Sequence, residues 1–253
     1  GIEGMVVAGS QPPIAFFGYK HLRRSELLPE GCECRVVCGL GIDSEPSLTA
    51  MAEALDAPAY VHEESPPCPA EPEGELNPMS LGMALVSVLP EGAIVVNESA
   101  TSSIGWVVHS RSAAPHDVLN LTGGAIGQGI PSAVGAAIAA PDRPVVALQA
   151  DGSGMYTVQG LWTMAREQLD VTVLVCANRA YRILQTELQR SGITDPGPAA
   201  MSMTSLSSPE LDWTQLAGGL GLPAVRVTRA EELVTALKRA LAEPGPSLIE
   251  ALL

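Results

Sequence analysis

Residues Ala150–Leu184 read ADGSGMYTVQGLWTMAREQLDVTVLVCANRAYRIL, and their pattern decides the fold. The apolar run Val145–Leu148 leads into the turn Asp151-Gly152-Ser153. A helical segment follows, and a second apolar run, Val171–Ala177, stops at Asn178. Two short β-branched runs flanking a helical segment predict a strand–helix–strand unit with parallel strands. A right-handed crossover of this length returns the chain to the same edge of the sheet. Asp151 and Asn178 then stand just past the C-terminal ends of two strands, the edge where open α/β sheets bind ligands.

The rest of the chain extends this alternation. Asn77 caps a helix over Asn77–Val88, with Pro78 in its first turn. Ala93–Val96 is a strand ending at Asn97-Glu98-Ser99, and Ser99–Val108 a helix. Val118–Leu121 is a strand closed by Thr122-Gly123-Gly124-Ala125-Ile126-Gly127, and Gly129–Ala140 a helix of small residues. Tyr181–Gln189 and Leu211–Leu220 read as helices, Ala224–Val227 as a strand, Ala230–Leu241 as a helix and Ser247–Ala251 as a last strand. Residues 192–208 read as a polar loop, either a lid or a merely mobile segment. Strands alternating with helices predict an α/β fold, a doubly wound parallel sheet with helices on both faces. Ahead of it, Met5–Ala8 and Cys34–Cys38 read as strands, Ile14–Tyr19 as an apolar stretch, Leu48–Leu55 as a helix and Ala59–Val61 as a short extended piece. Pro and Glu alternate between them. The expected organisation is a partial α/β domain over 1–65, a stiff acidic linker over 66–78, and a ligand-binding domain over 79–253.

Bulk properties narrow the function. A formal charge of −14 in 253 residues lacks the basic footprint that nucleic acid requires. It also repels anions at long range, so a bound diphosphate needs a metal and local donors. No apolar run reaches the length of a membrane span. The five Cys are odd in number and unpatterned, which suits reduced thiols and a cytoplasmic location. The cluster Cys32-x-Cys34-x₃-Cys38 reads as structural. His21, His62, His109 and His116 fall in loops or helix ends and receive no catalytic role.

The chemistry sits at the strand ends. A carboxylate and an amide oxygen facing each other across a crevice are hard oxygen ligands of the kind Mg²⁺ takes, together with phosphate oxygens. Gly152 lets a phosphate approach the backbone, and Ser153 and the neighbouring N–H groups can hold it. Turns after Val96, Leu121, Leu148 and Val175 would share one edge and make a pocket.

These residues resemble the thiamine-diphosphate enzymes of the acetolactate synthase and benzoylformate decarboxylase group. That family's Gly-Asp-Gly…Asn-Asn pattern is met here with Ala150 in place of the first Gly and Ala177 in place of the first Asn. The resemblance implies thiamine diphosphate and Mg²⁺ as cofactors, with Asp151, Asn178 and the main-chain carbonyl of Ala180 as metal ligands. It implies diphosphate contacts from the loop holding Ser99 and Thr101, from Gly152 and Ser153, and from Tyr181. Gly124 corresponds to the carbonyl that accepts from the aminopyrimidine. Ile126 corresponds to the wedge that bends the cofactor, and Ile183, with Leu184, to the thiazolium or substrate side.

The family also uses a glutamate from an N-terminal pyrimidine-binding domain, and no residue here matches it. The expectation is therefore about half of a complete enzyme, with no catalytic residue on this chain. The pyrimidine domain would come from a missing N-terminal part or from another polypeptide. A small 2-oxo acid is the expected substrate, and a homo-oligomer, dimer or tetramer, the expected assembly. Two further readings stand beside this one. Gly127-x-Gly129-x-x-Ser132 after a strand imitates an NAD-binding fingerprint. The two Ala replacements suit a non-catalytic or regulatory subunit that keeps the fold.

Overall fold

The computed structural model describes residues 1–15, 27–59 and 64–253. The readings of Ala59–Val61 and of most of Ile14–Tyr19 fall outside these residues, as do His21 and His62. The chain divides into two compact units. One comprises Gly1–Glu64 with Arg190–Gly192, the other Ser65–Gln189 with Ile193–Leu253.

In the first unit, β1 (Gly4–Ala8) pairs in parallel with β2 (Glu33–Cys38), and α1 (Ser44–Ala54) follows, its N-terminus capped by the Asp43 side chain. Cys38 is buried and its sulfur accepts from the Gly9 N–H at 3.1 Å. All five Cys are free thiols.

The second unit is built on one six-stranded, all-parallel sheet. It begins with α2 (Pro78–Val88), where Asn77 and Ser80 form a reciprocal capping box. Then come β3 (Ile94–Glu98), α3 (Ile104–His109), β4 (Asp117–Asn120), α4 (Gly129–Ala139), β5 (Val145–Ala150) and a single turn, α5 (Asp151–Gly154). Next are α6 (Gly160–Glu167), β6 (Val171–Ala177), α7 (Arg182–Arg190), α8 (Pro198–Thr204) and α9 (Trp213–Gly219). The chain closes with β7 (Ala224–Val227), α10 (Ala230–Ala242) and β8 (Ser247–Leu252). The strand order is β4-β3-β5-β6-β8-β7. From β3 the chain moves outward to β4, then resumes on the other side at β5. The connections leaving β3 and β5 therefore diverge, and a crevice opens between them.

Alternation along the strands assigns the two faces. Val146 and Leu148 of β5 join Leu81, Leu85, Trp106, Leu233 and Leu237, from α2, α3 and α10. Val145 and Ala147 join Ile130, Leu161, Met164 and Trp213, from α4, α6 and α9. The central strand β6 is buried along its whole length, as a parallel strand covered on both faces must be. Each fully buried Leu or Val contributes roughly 1.5–3 kcal/mol.

Two expectations are corrected. The helix expected over Ser99–Val108 is broken into a 3₁₀ turn, Ala100–Ser103, and α3. Ala100 is in the left-handed region at φ 49°, and the Ser99 side chain accepts no cap bond. The supposed polar loop over 192–208 contains α8, which starts at Pro198. The Ala180 backbone bridges Ser205, so this segment is tied to the strand-end loop after β6. The acidic Pro/Glu stretch keeps Glu64, Glu71, Glu73 and Glu75 exposed and is anchored at three points. The Gly74 N–H donates to Glu231, Glu71 pairs with Lys238 at 2.6 Å, and Leu76 is buried.

One packing feature places the loop after β3. Helices α2 and α3 cross backbone to backbone at Gly82 and Gly105. A Cβ on Gly82 would lie 2.0 Å from the Gly105 carbonyl carbon. Any side chain there would push α3, and the loop that leads into it, away from the sheet.

Candidate functional site

At the C-terminal edge of the sheet, loops from four strands converge on one small cavity. It is lined by Thr101 after β3, Ile126 after β4, Asp151, Gly152 and Ser153 after β5, and Asn178, Ala180, Tyr181 and Ile183 after β6. All three expected metal ligands are in this lining, with six of the eight expected cofactor contacts. Ser99 and Gly124 are not. Ser99 is buried and its hydroxyl donates to Asn97 Oδ1 at 2.9 Å.

Asp151 is almost wholly buried. Its Oδ1 accepts from the Gly152 N–H at 2.8 Å and its Oδ2 from the Arg179 N–H at 2.7 Å. Among the described residues no cation pairs with it. Burial pushes its carboxyl above the ordinary value, and the N–H groups of Arg179 and Gly152 pull the other way. Asn178 Oδ1 accepts from the Ala180 N–H at 3.0 Å, which fixes the amide oxygen in the loop. Residues Ala150 and Cys176 are sheet partners, so on adjacent strands Asp151 follows at the level of Ala177 and Asn178 comes one residue later.

The donor set fits a hard divalent cation. It offers a buried carboxylate with no counter-ion among the described residues, a held amide oxygen and a neighbouring main-chain carbonyl. Burial and the charge of Asp151 push the Cys176 thiol up, so no soft thiolate competes. Gly152 supplies a cradle. A Cβ there would lie 2.5 Å from the Tyr181 ring. The Tyr181 N–H donates to the Thr204 carbonyl, and the Leu206 N–H to the Arg179 carbonyl, so the tether to α8 also positions that ring. Burial raises the Tyr181 hydroxyl above its ordinary value, helped by Tyr156 and Asp151, which keeps it a neutral donor. The Ser153 hydroxyl is already engaged: it accepts from Gln149 Nε2 at 2.7 Å and lies 3.3 Å from the Glu98 and Ala150 carbonyls. What Ser153 offers a ligand is its backbone.

Two residues, one in the cavity lining and one beside it, escaped the sequence reading. Arg182 lines the cavity at the first position of α7, where a cation opposes the helix dipole. That placement was the available signal. Glu98, buried at the end of β3, accepts hydrogen bonds from the Gly127 and Gly129 N–H groups. This bears directly on the NAD fingerprint. The N–H groups a pyrophosphate would need are held by the protein's own carboxylate, which overturns that reading.

A second, larger groove of about 750 Å³ runs along β7 and α10. It shares no lining residue with the strand-end cavity, and its walls are mainly apolar, with none of the oxygen ligands described above. Among the described residues no cluster of His, Cys, Asp and Glu forms a metal site of its own, and no helix is long and apolar enough to cross a membrane.

Residues 100–251 match the family described as "Thiamine pyrophosphate enzyme, C-terminal TPP binding domain". The chain is 46% identical over 251 residues to the "Putative acetolactate synthase large subunit IlvX" of Mycobacterium tuberculosis, covering 99% of this chain and 48% of that protein. It is 30% identical over 251 residues to benzoylformate decarboxylase of Pseudomonas aeruginosa, covering 92% of this chain and 46% of that protein. Among solved structures, the thiamine diphosphate-dependent 4-hydroxybenzoylformate decarboxylase of Rhodococcus jostii RHA1 superposes with a TM-score of 0.74 at 26% identity, over 99% of this chain and 48% of that one. The chain thus spans about half the length of these relatives. With a parallel sheet whose four loops meet at Asp151 and with this match, the chain belongs to the thiamine pyrophosphate enzyme family and carries its C-terminal cofactor-binding domain.

Proposed function

We propose that this chain forms the Mg²⁺–diphosphate-binding half of the active site in a thiamine-diphosphate-dependent 2-oxo acid decarboxylase or carboligase of the acetolactate synthase kind. The observation that carries the reading is the buried Asp151 carboxylate, without a cationic partner among the described residues, in one cavity with Asn178 and Ala180. In this reading Asp151, Asn178 and the Ala180 carbonyl hold the cation, which neutralises a diphosphate that the acidic chain would otherwise repel. Gly152 keeps the backbone open to the phosphate, and Thr101 and Tyr181 offer hydroxyl donors. Ile126 and Ile183 are 45% and 41% exposed, so each presents an apolar surface for a ring to rest against. Bound there, thiamine diphosphate supplies an electron sink for cleaving the bond between the carbonyl and carboxylate carbons of a 2-oxo acid.

A pyrimidine-binding domain with an activating glutamate, from the same longer protein or from another chain, would complete the site in at least a dimer. Titration calorimetry tests the core of this reading. Thiamine diphosphate should bind only with Mg²⁺, and adding a pyrimidine-binding partner should yield CO₂ from a 2-oxo acid. No affinity for thiamine diphosphate with Mg²⁺ would refute it. Binding without turnover in the completed assembly would favour the non-catalytic subunit, which the replacements at Ala150 and Ala177 keep in view.

A further inference from the structure

The Glu98 side chain belongs neither to the metal site nor to the cavity lining, yet it is only 3% exposed. Both of its oxygens are used, one by the Gly127 N–H and one by the Gly129 N–H. It therefore fastens the end of β3 to the loop after β4 across the crevice. Within that loop one turn bond closes, from the Ala125 N–H to the Thr122 carbonyl at 3.2 Å, and it leaves the Gly127 and Gly129 N–H groups to outside partners. Gly123, Gly124 and Gly127 all have positive φ, at 62°, 69° and 91°. A Cβ on Gly129 would lie 2.6 Å from Glu98 Oε2 and 2.3 Å from Gln149 Oε1, so the helix start presses directly on the carboxylate. Further bonds complete the fastening. Thr157 Oγ1 donates to the Gly127 carbonyl at 3.0 Å, and Gln128 Oε1 accepts from the Thr122 N–H at 3.0 Å. The Glu98 carbonyl in turn lies 3.3 Å from the Ser153 hydroxyl, beside the Asp151 turn. One residue thus connects three of the loops that surround the cavity.

We infer that Glu98 is a positioning residue: its carboxylate sets Ile126 and the Gly124 carbonyl at a fixed height opposite the Asp151–Asn178 cation site. This rests on the cofactor reading above. A ligand that occupies only the cation side should not sense Glu98, while one that spans to the Ile126 loop should.

Inorganic pyrophosphate with Mg²⁺ is the short probe, and thiamine diphosphate with Mg²⁺ the long one. Glu98→Gln keeps the volume but turns an amide N–H₂ towards one of the two backbone donors. The variant should bind thiamine diphosphate about tenfold more weakly or worse, the scale of one lost charged hydrogen bond, and pyrophosphate within about twofold of wild type. The amide exchange of Gly127 and Gly129, read by NMR without any ligand, should accelerate in the variant. Should Glu98→Gln not fold, Glu98→Asp, which keeps the charge but shortens its reach to the Gly127 and Gly129 N–H groups, carries the test and must show the same split. Equal weakening for both probes, or no weakening of either, overturns the role of Glu98. A wild-type chain that binds neither probe overturns the cofactor reading and this inference with it.

Discussion

Two buried carboxylates on the same sheet are handled in opposite ways. Glu250 of β8 is fully buried and receives the Arg226 Nε–H at 2.8 Å, and Arg226 also reaches Asp212 at 3.1 Å. Asp151 is equally buried but has backbone N–H donors only, and no cation among the described residues. A buried charge is costly without a partner. Glu250 has its partner in the fold, at an outer position between β6 and edge strand β7. Asp151 stands where four loops open, in the cavity proposed above to take a cation. The comparison separates a carboxylate paired within the fold from one that faces an open cavity; Glu98, also held by backbone N–H groups, lies outside that cavity's lining.

The first way to break this comparison is to remove the arginine. Arg226→Met should destabilise the protein by about 3 kcal/mol, the lower end for an uncompensated buried charge because Arg226 is itself a third exposed. Denaturant unfolding measures this, and Mg²⁺–thiamine diphosphate affinity of the folded protein should stay unchanged. Asp151→Asn should do the reverse. Affinity should fall by about a hundredfold or more, or about 2.7 kcal/mol, while the ligand-free melting temperature holds or rises. A large stability loss in Asp151→Asn would show that its carboxylate is structural after all.

Smaller changes sharpen the picture. Gly152→Ala places a Cβ against the Tyr181 ring and should cost about 1–3 kcal/mol as an overpacked contact, together with a weaker grip on pyrophosphate in calorimetry. Arg179 has φ 57° and pairs with Glu210 at a half-exposed position. Arg179→Gly removes the left-handed strain and should stabilise by up to about 1 kcal/mol, with the Asp151 bond from its N–H intact.

The smallest effect is a pH dependence at Asp212. Its hydrogen bonds from Thr214 and the Gln215 N–H, then Arg226, hold its carboxyl at about 2, below the ordinary 3.8. The unfolded state binds more protons in that window. Stability from this group is therefore full above the ordinary carboxylate range and is lost as pH falls from 3.8 towards about 2. Asp212→Ala should flatten that part of an acid unfolding curve.

How much of this was legible follows from where each signal lies in the chain. The β5–α6–β6 unit was readable because Val145–Leu148 and Val171–Ala177 are short, branched and fully buried, and because Asp151 and Asn178 end them abruptly. Ligand positions that depend on strand ends followed from that. The broken helix after Ser99 was not readable, because Ala100 at positive φ carries no residue signal for it. The helix α8 was hidden in a segment too short and too polar to show a period, although Pro198 marks its first turn. Glu98 was missed for a different reason. Its partners are the backbones of Gly127 and Gly129, and a backbone partner leaves no trace in side-chain spacing.

The central claim is tested most directly by crystallography with an anomalous ion. Crystals equilibrated with Mn²⁺ and pyrophosphate should show one anomalous peak about 2.0–2.3 Å from oxygens of Asp151 and Asn178, with phosphate oxygens completing the shell. Manganese bound elsewhere while both side chains keep only their protein hydrogen bonds would contradict the account.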